Sequence, residues 1–216
     1  MGYSDFLFSK SFCDSCTETC SFLLIFPCLQ RGESSLYIKT CIDMVQKTAE
    51  QPSWVQWTHH SEGKTHCEEC LMLDGCFFTA SNHPPCPHHP FCHCTLEPVD
   101  YAVVLINTSA YSDYRKFDPY SFNTTGLQTH NKEKLFKEWG YTVEDAGWLQ
   151  AEIERQAKER YIAGKYTLGK LNWNGQRISI RVIIPRRDGT GEVSFITGWM
   201  VEPGGKLRMT TPYGGK

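Results

Sequence analysis

Cysteine and histidine are confined to one part of this sequence, which constrains its folding more than any other feature. All eleven cysteines lie between Cys13 and Cys94, and seven of the eight histidines lie between His59 and His93. An odd number of cysteines does not fit a fully paired disulfide framework. We expect no secretory signal, because the apolar run at residues 22–26 is short and follows acidic residues. Interleaved Cys and His in such a chain indicates metal binding, with free or disulfide-bonded thiols as the alternative.

Charge divides the chain near the same place. Residues 1–113 hold 5 Lys and Arg against 13 Asp and Glu, a net charge of −8, whereas residues 114–216 hold 17 against 11, a net charge of +6. The content of 40% hydrophobic and 21% charged residues is that of a folded protein and excludes wholesale disorder. No apolar run approaches the roughly 18 residues that span a bilayer. The two halves are therefore expected to have different roles.

Residues 51–100, called here the Cys/His module, contain two motifs with the spacing of a structural zinc site. Cys67-x2-Cys70 can direct two thiolates at one tetrahedral ion, and a second motif ends in Cys92-x-Cys94. We predict a structural zinc ion; its ligands would be Cys67, Cys70, His89 and Cys92, with Cys94 as the substitute if His89 points away. Rival ligands are Cys76, Cys86, His66 and His88. A further cluster, Cys13-x2-Cys16-x3-Cys20, has no downstream partner to complete a site.

Residues 117–216 show the regular periodicity of an α+β domain. Asn131 can cap a helix over Lys132–Trp139, and Thr142 with Asp145 forms a capping-box pattern before a helix that ends near Gly164. Four strands with period two follow, and the first two flank Asn174-Gly175. Their predicted bounds are Tyr166–Trp173, Gln176–Ile184, Glu192–Val201 and Lys206–Thr211. We predict two helices that cover one face of a four-stranded antiparallel sheet.

The remaining segments are less regular. Residues 1–50 carry one weak helical pattern at 36–49 and are otherwise uncertain, and residues 101–116 have the composition of a linker. Residues 51–100 show little periodicity, which predicts a loop-rich module without a large apolar core.

The Cys/His module resembles a known family. Trp54, His66-Cys67-x2-Cys70, Leu73-Asp74-Gly75 and His89-Pro90-x-Cys92-x-Cys94 are similar to the C-terminal signature of phage head-morphogenesis (minor head) proteins. The large helical head domain that precedes this signature in those proteins has no counterpart here. The resemblance implies a truncated or divergent descendant, with phage head proteins as partners.

Residues 117–216 resemble the small toxin ribonucleases of the barnase/EndoU/colicin/RelE-like (BECR) group. The similar stretches are Tyr120-Ser121-Phe122-Asn123, Asn131–Phe136, Trp139-Gly140-Tyr141, Gly198–Val201 and Pro203–Pro212. Those proteins place helices before a four-stranded antiparallel sheet and cleave RNA. The resemblance implies a ribonuclease of the toxin type, with RNA (tRNA among the candidates) as substrate and an immunity protein as partner.

Metal-independent RNA cleavage needs a base, an acid and cations around the phosphate. His130 is the one histidine in this half of the sequence, and Lys132 matches the family's first-helix lysine. Arg177 and Arg181 are predicted to project from the sheet face opposite the isoleucines. Thr197 and Thr211 are candidate hydroxyl donors to a phosphate, although threonine also simply favours strands. We predict these six residues as the catalytic set.

Two functions remain open from the sequence. The first is a phage-derived or polymorphic-toxin protein that cleaves RNA. The second is a non-enzymatic phage minor head or assembly protein whose C-terminal domain binds nucleic acid or capsid. A secreted effector with glycan sequons at Asn107 and Asn123 is a third reading, opposed by the missing signal. We expect a location in the bacterial cytoplasm or on the virion, without a membrane partner.

Overall fold

A computed structural model describes residues 51–60 and 67–215 of the chain. The predicted helix at 36–49, the Cys13–Cys20 cluster and the rival ligand His66 lie outside the described residues. The strands are β1 (Trp54–Thr58), β2 (Phe77–Thr79), β3 (Thr95–Val99), β4 (Ser109–Tyr111), β5 (Thr167–Asn172), β6 (Gly175–Pro185), β7 (Glu192–Glu202) and β8 (Lys206–Gly215). The α-helices are α1 (Glu68–Leu73), α2 (Tyr101–Asn107), α3 (Lys132–Glu138) and α4 (Ala146–Ile162). The predicted α+β class is confirmed.

A small antiparallel sheet with the order β2-β1-β3 forms the frame of the Cys/His module. It is more regular than its sequence suggests. Trp54 and Trp57 of β1 and Phe78 of β2 are almost completely buried. The module therefore has an apolar core, and the prediction that it lacks a large one was wrong. Large aromatic residues supply enough buried area to organise even three- and five-residue strands.

A five-stranded sheet with the order β4-β8-β7-β6-β5 forms the C-terminal half. Four strands run antiparallel as predicted, and β4 adds a parallel edge strand through the pairs Ser109 with Lys206 and Tyr111 with Arg208. Both β4 and α2 lie within residues 101–116, so this segment is structured and is not the predicted linker. A three-residue strand that pairs through its backbone leaves almost no pattern in the sequence, which explains the difference.

Helix α4 covers one face of the large sheet. Its predicted stripe of Leu149, Ile153, Ala157 and Tyr161 is fully buried against the strands. The capping box is also present: the backbone N–H of Thr142 donates to the Asp145 carboxylate at 2.9 Å and leads through a 3-10 turn, Val143–Asp145, into α4. The opposite sheet face, which carries Arg177, Ser179 and Arg181, is called here the open face.

The hairpin between β5 and β6 turns one residue earlier than predicted. Asn172 pairs with Gly175, so the two-residue loop is Trp173-Asn174 rather than Asn174-Gly175. Gly175 opens β6 with φ +110°, a conformation that strongly favours glycine, and a Cβ there would lie 3.3 Å from the sulfur of Met200. The shift places Trp173 at the tip of the hairpin.

The Cys/His module and the C-terminal half share one hydrophobic core. Pro52–Lys216 forms a single compact unit, and buried residues of both parts belong to the same cluster. The hydroxyl of Tyr161 donates to the backbone oxygen of Phe77. The hydroxyl of Tyr166 accepts the backbone N–H of Thr79 at 2.9 Å and donates to the oxygen of Asn82 at 2.7 Å. Strand β2 is thus bonded to the two ends of the α4–β5 connection.

Candidate functional site

Thiol and imidazole groups of the Cys/His module converge around Cys70. Two sets of side chains each lie with their ligand atoms within 4.8 Å of one another: Cys67, Cys70 and His89, and Cys70, Cys92 and Cys94. The Cys70 sulfur lies 3.3 Å from Nε2 of His89 and 3.7 Å from the Cys92 sulfur. All five predicted ligands are therefore brought together, and the cluster is compatible with a metal site.

Neighbouring groups prepare the cluster for a cation. Nδ1 of His89 lies 2.8 Å from the backbone oxygen of Pro90, which can only accept, so Nδ1 carries the proton and the Nε2 lone pair faces Cys70. Burial raises the pKa of the Cys92 thiol, but hydrogen bonds from the backbone of His88 and Cys94 outweigh this and lower it to about 6. Burial, together with hydrogen bonds to Cys67, Cys94 and Cys92, raises the pKa of Cys70. A metal would reverse that effect, because it favours the thiolate.

The described rival ligands have other contacts. Nε2 of His88 donates to the Glu69 carboxylate at 2.7 Å. Cys76 is buried beside backbone oxygens of Met72 and Val201. The Cys86 thiol points at the Cys94 backbone oxygen at 3.4 Å. His59, which was not predicted, lies with Nδ1 3.5 Å from the Cys94 sulfur.

A second group of polar side chains assembles where α3 meets β8. Nζ of Lys132 donates to the Thr211 hydroxyl at 3.1 Å and lies 4.7 Å from the centre of the Tyr120 ring, with the Tyr120 hydroxyl at 3.4 Å. The segment that carries Tyr120 is held on β8, because Nζ of Lys116 donates to the backbone oxygen of Thr210 at 3.1 Å. Three distant stretches of chain therefore meet at one ammonium group.

His130 completes this group. Its ring packs edge-on against Tyr120 with 4.5 Å between the ring centres. The backbone N–H of Lys132 donates to His130 Nδ1 at 3.3 Å, so the neutral ring carries its proton on Nε2. Nε2 is shielded from solvent and has no hydrogen-bond partner among the described residues. His130, Lys132, Tyr120 and Thr211 are called here the Lys132 cluster.

A cavity of about 200 Å³ lies on the open face next to the cluster, and Thr211 belongs to both. Its cations are Lys170 and Arg177, and its floor is formed by glycines of neighbouring strands; the lining residues are Gly169, Lys170, Arg177, Ile178, Ser179, Ile196, Gly198, Thr211 and Gly214. A Cβ at Gly198 would lie 2.8 Å from the Thr210 hydroxyl and 2.9 Å from Cγ2 of Thr211. At roughly 30 Å³ per water molecule, the cavity has room for a phosphate group and several waters.

A second cavity of about 330 Å³ continues along the open face, since Ser179 and Ile196 line both. It adds Lys165 and Arg181, and Nη1 of Arg181 donates to the Ser194 hydroxyl at 3.0 Å. Among the described residues that line the two cavities there is no Asp or Glu. The described residues that line the two cavities therefore include four cations and no carboxylate, which suits the binding of a polyanion.

Thr197 does not belong to this surface. It is completely buried, its hydroxyl donates to the backbone oxygen of Ile180 at 2.9 Å, and it accepts from Nε1 of Trp199 at 2.8 Å. The prediction of Thr197 as a phosphate donor was wrong. In β7 it shares the parity of the apolar Phe195 and Trp199, so strand alternation alone directs it to the core.

Residues 106–216, just over half of the chain, match the protein family described as Domain of unknown function (DUF6883). The chain belongs to this family. No curated protein and no solved structure matches it. The DUF6883 match begins inside α2 and includes β4, so the edge strand that the sequence hid is part of the family's domain. The match contains the whole Lys132 cluster and both cavities but none of the clustered Cys and His residues.

Within the DUF6883 domain, sequence reasoning missed Tyr120, Lys165 and Lys170. Tyr120 was part of the BECR-like stretches, yet its contact with Lys132 depends on how residues 114–121 lie on β8. Lys165 lies just before β5 and Lys170 lies within it, and both line the cavities because that strand forms the sheet edge next to β6, which carries Arg177 and Arg181. No helix in the described part of the chain is long and apolar enough to cross a membrane.

Proposed function

We propose that this chain is a phage-derived or polymorphic-toxin protein whose DUF6883 domain cleaves RNA, with tRNA among its candidate substrates, by metal-independent acid/base catalysis. The observation that supports this function best is the Lys132 cluster beside an acid-free cationic cavity. Such an arrangement combines groups that move a proton with donors for a phosphate. Both resemblances, to phage head-morphogenesis proteins and to BECR ribonucleases, agree with the proposal.

The proposed reaction is an attack of a ribose 2′-oxygen on the adjacent phosphorus. The 2′-oxygen–phosphorus bond forms while the bond from phosphorus to the 5′-oxygen breaks, which gives a 2′,3′-cyclic phosphate and a 5′-hydroxyl. Tyr120 and His130 are the groups of the cluster that can exchange a proton: one takes it from the 2′-hydroxyl and the other returns one to the 5′-oxygen. His130 must turn its ring to do so, because Nδ1 accepts the Lys132 backbone N–H and Nε2 is shielded from solvent. Lys132, Thr211 and Arg177 stabilise the negative charge that develops on the phosphate oxygens.

The Cys/His cluster takes a structural role in this proposal. Zinc is the ion that suits thiolates and imidazole in a tetrahedral set, and four protein ligands leave no open position for a reacting water. Its ligands would be Cys67, Cys70 and Cys92 with either His89 or Cys94. The ion would stabilise β1 and β2, which in turn hold Tyr161 and Tyr166 of the DUF6883 domain.

Partners follow from the same proposal. A chain that cleaves RNA in its host requires protection, and an immunity protein that covers the open face would supply it. The Cys/His module is the part that would contact phage head proteins. If the domain binds nucleic acid or capsid without cleaving, the chain is instead a non-enzymatic assembly protein.

The test is cleavage by the metal-loaded full chain, since the two halves share a core. Total RNA and purified tRNA are incubated in buffer without added divalent ions, and in parallel with Mg²⁺. We expect fragments that carry 2′,3′-cyclic phosphate and 5′-hydroxyl ends in both buffers. A single 2′-deoxy nucleotide on the 5′ side of the cleaved bond should abolish cleavage there, because it removes the attacking oxygen.

Lys132→Ala should lower the cleavage rate roughly 10²-fold, the loss typical for one transition-state donor. Lys134→Ala is the matched control, because Lys134 lies exposed on the same helix and its substitution removes the same charge. The control should cleave like the wild type. Intact RNA after incubation with the wild type in both buffers would contradict the ribonuclease and favour the assembly protein.

A further inference from the structure

Trp173 is the most exposed of the six tryptophans, with 69% of its surface accessible at the tip of the β5–β6 hairpin. The turn is ordered: the backbone N–H of Asn174 donates to the Asn172 side chain at 2.8 Å, and Gly175 packs against Met200. A large aromatic ring held in water on a defined turn contributes little to the fold. An exposed side chain of this kind is typical of a binding residue.

The tip lies beside the cationic cavity of the open face. Trp173 follows Lys170 by three residues and precedes Arg177 by four, and these two cations line the cavity from the paired strands. With about 3.3 Å per residue along a strand, the ring and the cavity are separated by roughly 10 to 13 Å of backbone. A planar apolar group and a phosphate-sized cationic cavity are therefore neighbours.

We infer that Trp173 forms a subsite for an unpaired RNA base, which stacks on the indole while a neighbouring backbone phosphate binds Lys170 and Arg177. This subsite rests on the proposed function and narrows its substrate to RNA that is single-stranded beside the cleaved bond. A base inside a duplex has both faces covered by its neighbours, so it offers no face to the ring. Stacking tolerates every base, and the cations read only the backbone.

Binding to uncleavable oligonucleotides tests the subsite without relying on catalysis. The full chain is titrated with a fluorescently labelled 2′-O-methyl oligonucleotide, single-stranded or annealed to its complement, and anisotropy is recorded. The wild type should bind the single strand more tightly. Trp173→Ala should weaken single-strand binding about 10-fold or more and leave duplex binding unchanged.

Three further variants and one modified oligonucleotide make the result specific to stacking. Trp173→Phe should retain most of the affinity, whereas Trp173→Leu, which is apolar but not planar, should behave like Trp173→Ala. Ile106→Ala is the control for an exposed apolar side chain outside the cavities and should bind like the wild type. One abasic nucleotide, moved along the strand, should weaken wild-type binding at one position and have no effect there in Trp173→Ala. Unchanged circular dichroism would show that each variant folds.

The outcomes separate the two proposals. Equal single-strand binding by Trp173→Ala and the wild type overturns the subsite, as does equal binding by the Phe and Leu variants. Those results would overturn the subsite alone, because the ribonuclease proposal depends on the Lys132 cluster and not on Trp173. Conversely, stacking-dependent binding by a chain that never cleaves RNA supports the subsite and contradicts the ribonuclease.

Discussion

The Cys/His module and the DUF6883 domain place their candidate functional residues in opposite ways. In the module the candidate ligands are buried or half-buried, and Cys70, 1% exposed, belongs to both ligand sets. In the domain the core and the candidate site use alternate residues of the same strands, so Ile180 is buried and Arg181 is exposed. Stability and function are therefore inseparable in the module and separable in the domain. Mutations should reveal this difference directly.

The largest effect should come from the ligand that both sets share. Cys70→Ser should abolish metal binding and lower the free energy of unfolding by at least about 5 kcal/mol, half the low end of what structural zinc sites contribute. The whole unit from Pro52 should unfold earlier in one transition, because its halves share a core. Metal content by mass spectrometry and thermal unfolding measure this. Cys76→Ser, a buried thiol outside both ligand sets, should keep its metal; equal metal content in Cys70→Ser would contradict the site.

Two neighbouring residues of β6 should sharpen the contrast within the domain. Ile180→Ala should cost about 2–5 kcal/mol of stability, because it leaves a cavity in the core. Arg181→Ala should change stability by no more than about 0.5 kcal/mol, yet weaken RNA binding. Denaturant unfolding and filter binding on both variants give the comparison. Similar stability losses at the two positions would show that fold and site are not separated by strand parity.

The bonds between the two halves should give a smaller effect. Tyr166→Phe removes the hydroxyl that bonds to Thr79 and Asn82, so one buried and one half-buried backbone group lose their partner, which should cost about 1–3 kcal/mol. Metal release to a coloured chelator should also become faster. Tyr114→Phe, at an exposed tyrosine, is the control and should have no effect on either measurement. Two separate unfolding transitions in the wild type would contradict a shared core.

The smallest effect concerns salt. If Arg177 and Arg181 each bind one phosphate, the double alanine variant should lower the slope of log binding constant against log salt by about 1.4, since each contact to a single strand contributes about 0.7. Lys134→Ala with Lys158→Ala removes the same charge away from the cavities and should leave the slope unchanged. Equal slopes for all three proteins would show that neither arginine binds a phosphate.

The sequence predicted the elements whose side chains repeat with a clear period. The long strands β6 and β7 appear within one residue of their predicted bounds. Helix α4 carries the predicted four-residue stripe and ends within two residues of Gly164, but it begins at Ala146, after a 3-10 turn that follows the predicted cap at Thr142. Strand β4 was not predicted, because its three residues pair through the backbone alone. The strands of the module were not predicted either. The buried residues Trp54 and Trp57 are three positions apart, which does not fit the two-residue repeat of a strand face.

The candidate sites divide in the same way. Local spacing was enough for the Cys67-x2-Cys70 motif and for the parity of Arg177 and Arg181. The contact between Lys132 and Thr211 joins residues from α3 and β8, and the approach of Tyr120 needs the route of residues 114–121. No local pattern encodes such tertiary distances. The burial of Thr197, by contrast, could have been predicted from the sequence, because its position in β7 has the parity of the buried residues.

The position of β8 in the large sheet has a consequence for how the protein is made. It is the last of the described strands in chain order, yet it lies between β7 and β4. Strand β4 can form its parallel pair only when β8 is present, because Ser109 pairs with Lys206. Pairings this distant in sequence form slowly, and the edge of β7 stays open until β8 emerges from the ribosome. Because Thr211 lies on β8 and accepts from Lys132, the Lys132 cluster is among the last parts to assemble. A nascent chain would thus stay without the complete Lys132 cluster until β8 has left the ribosome.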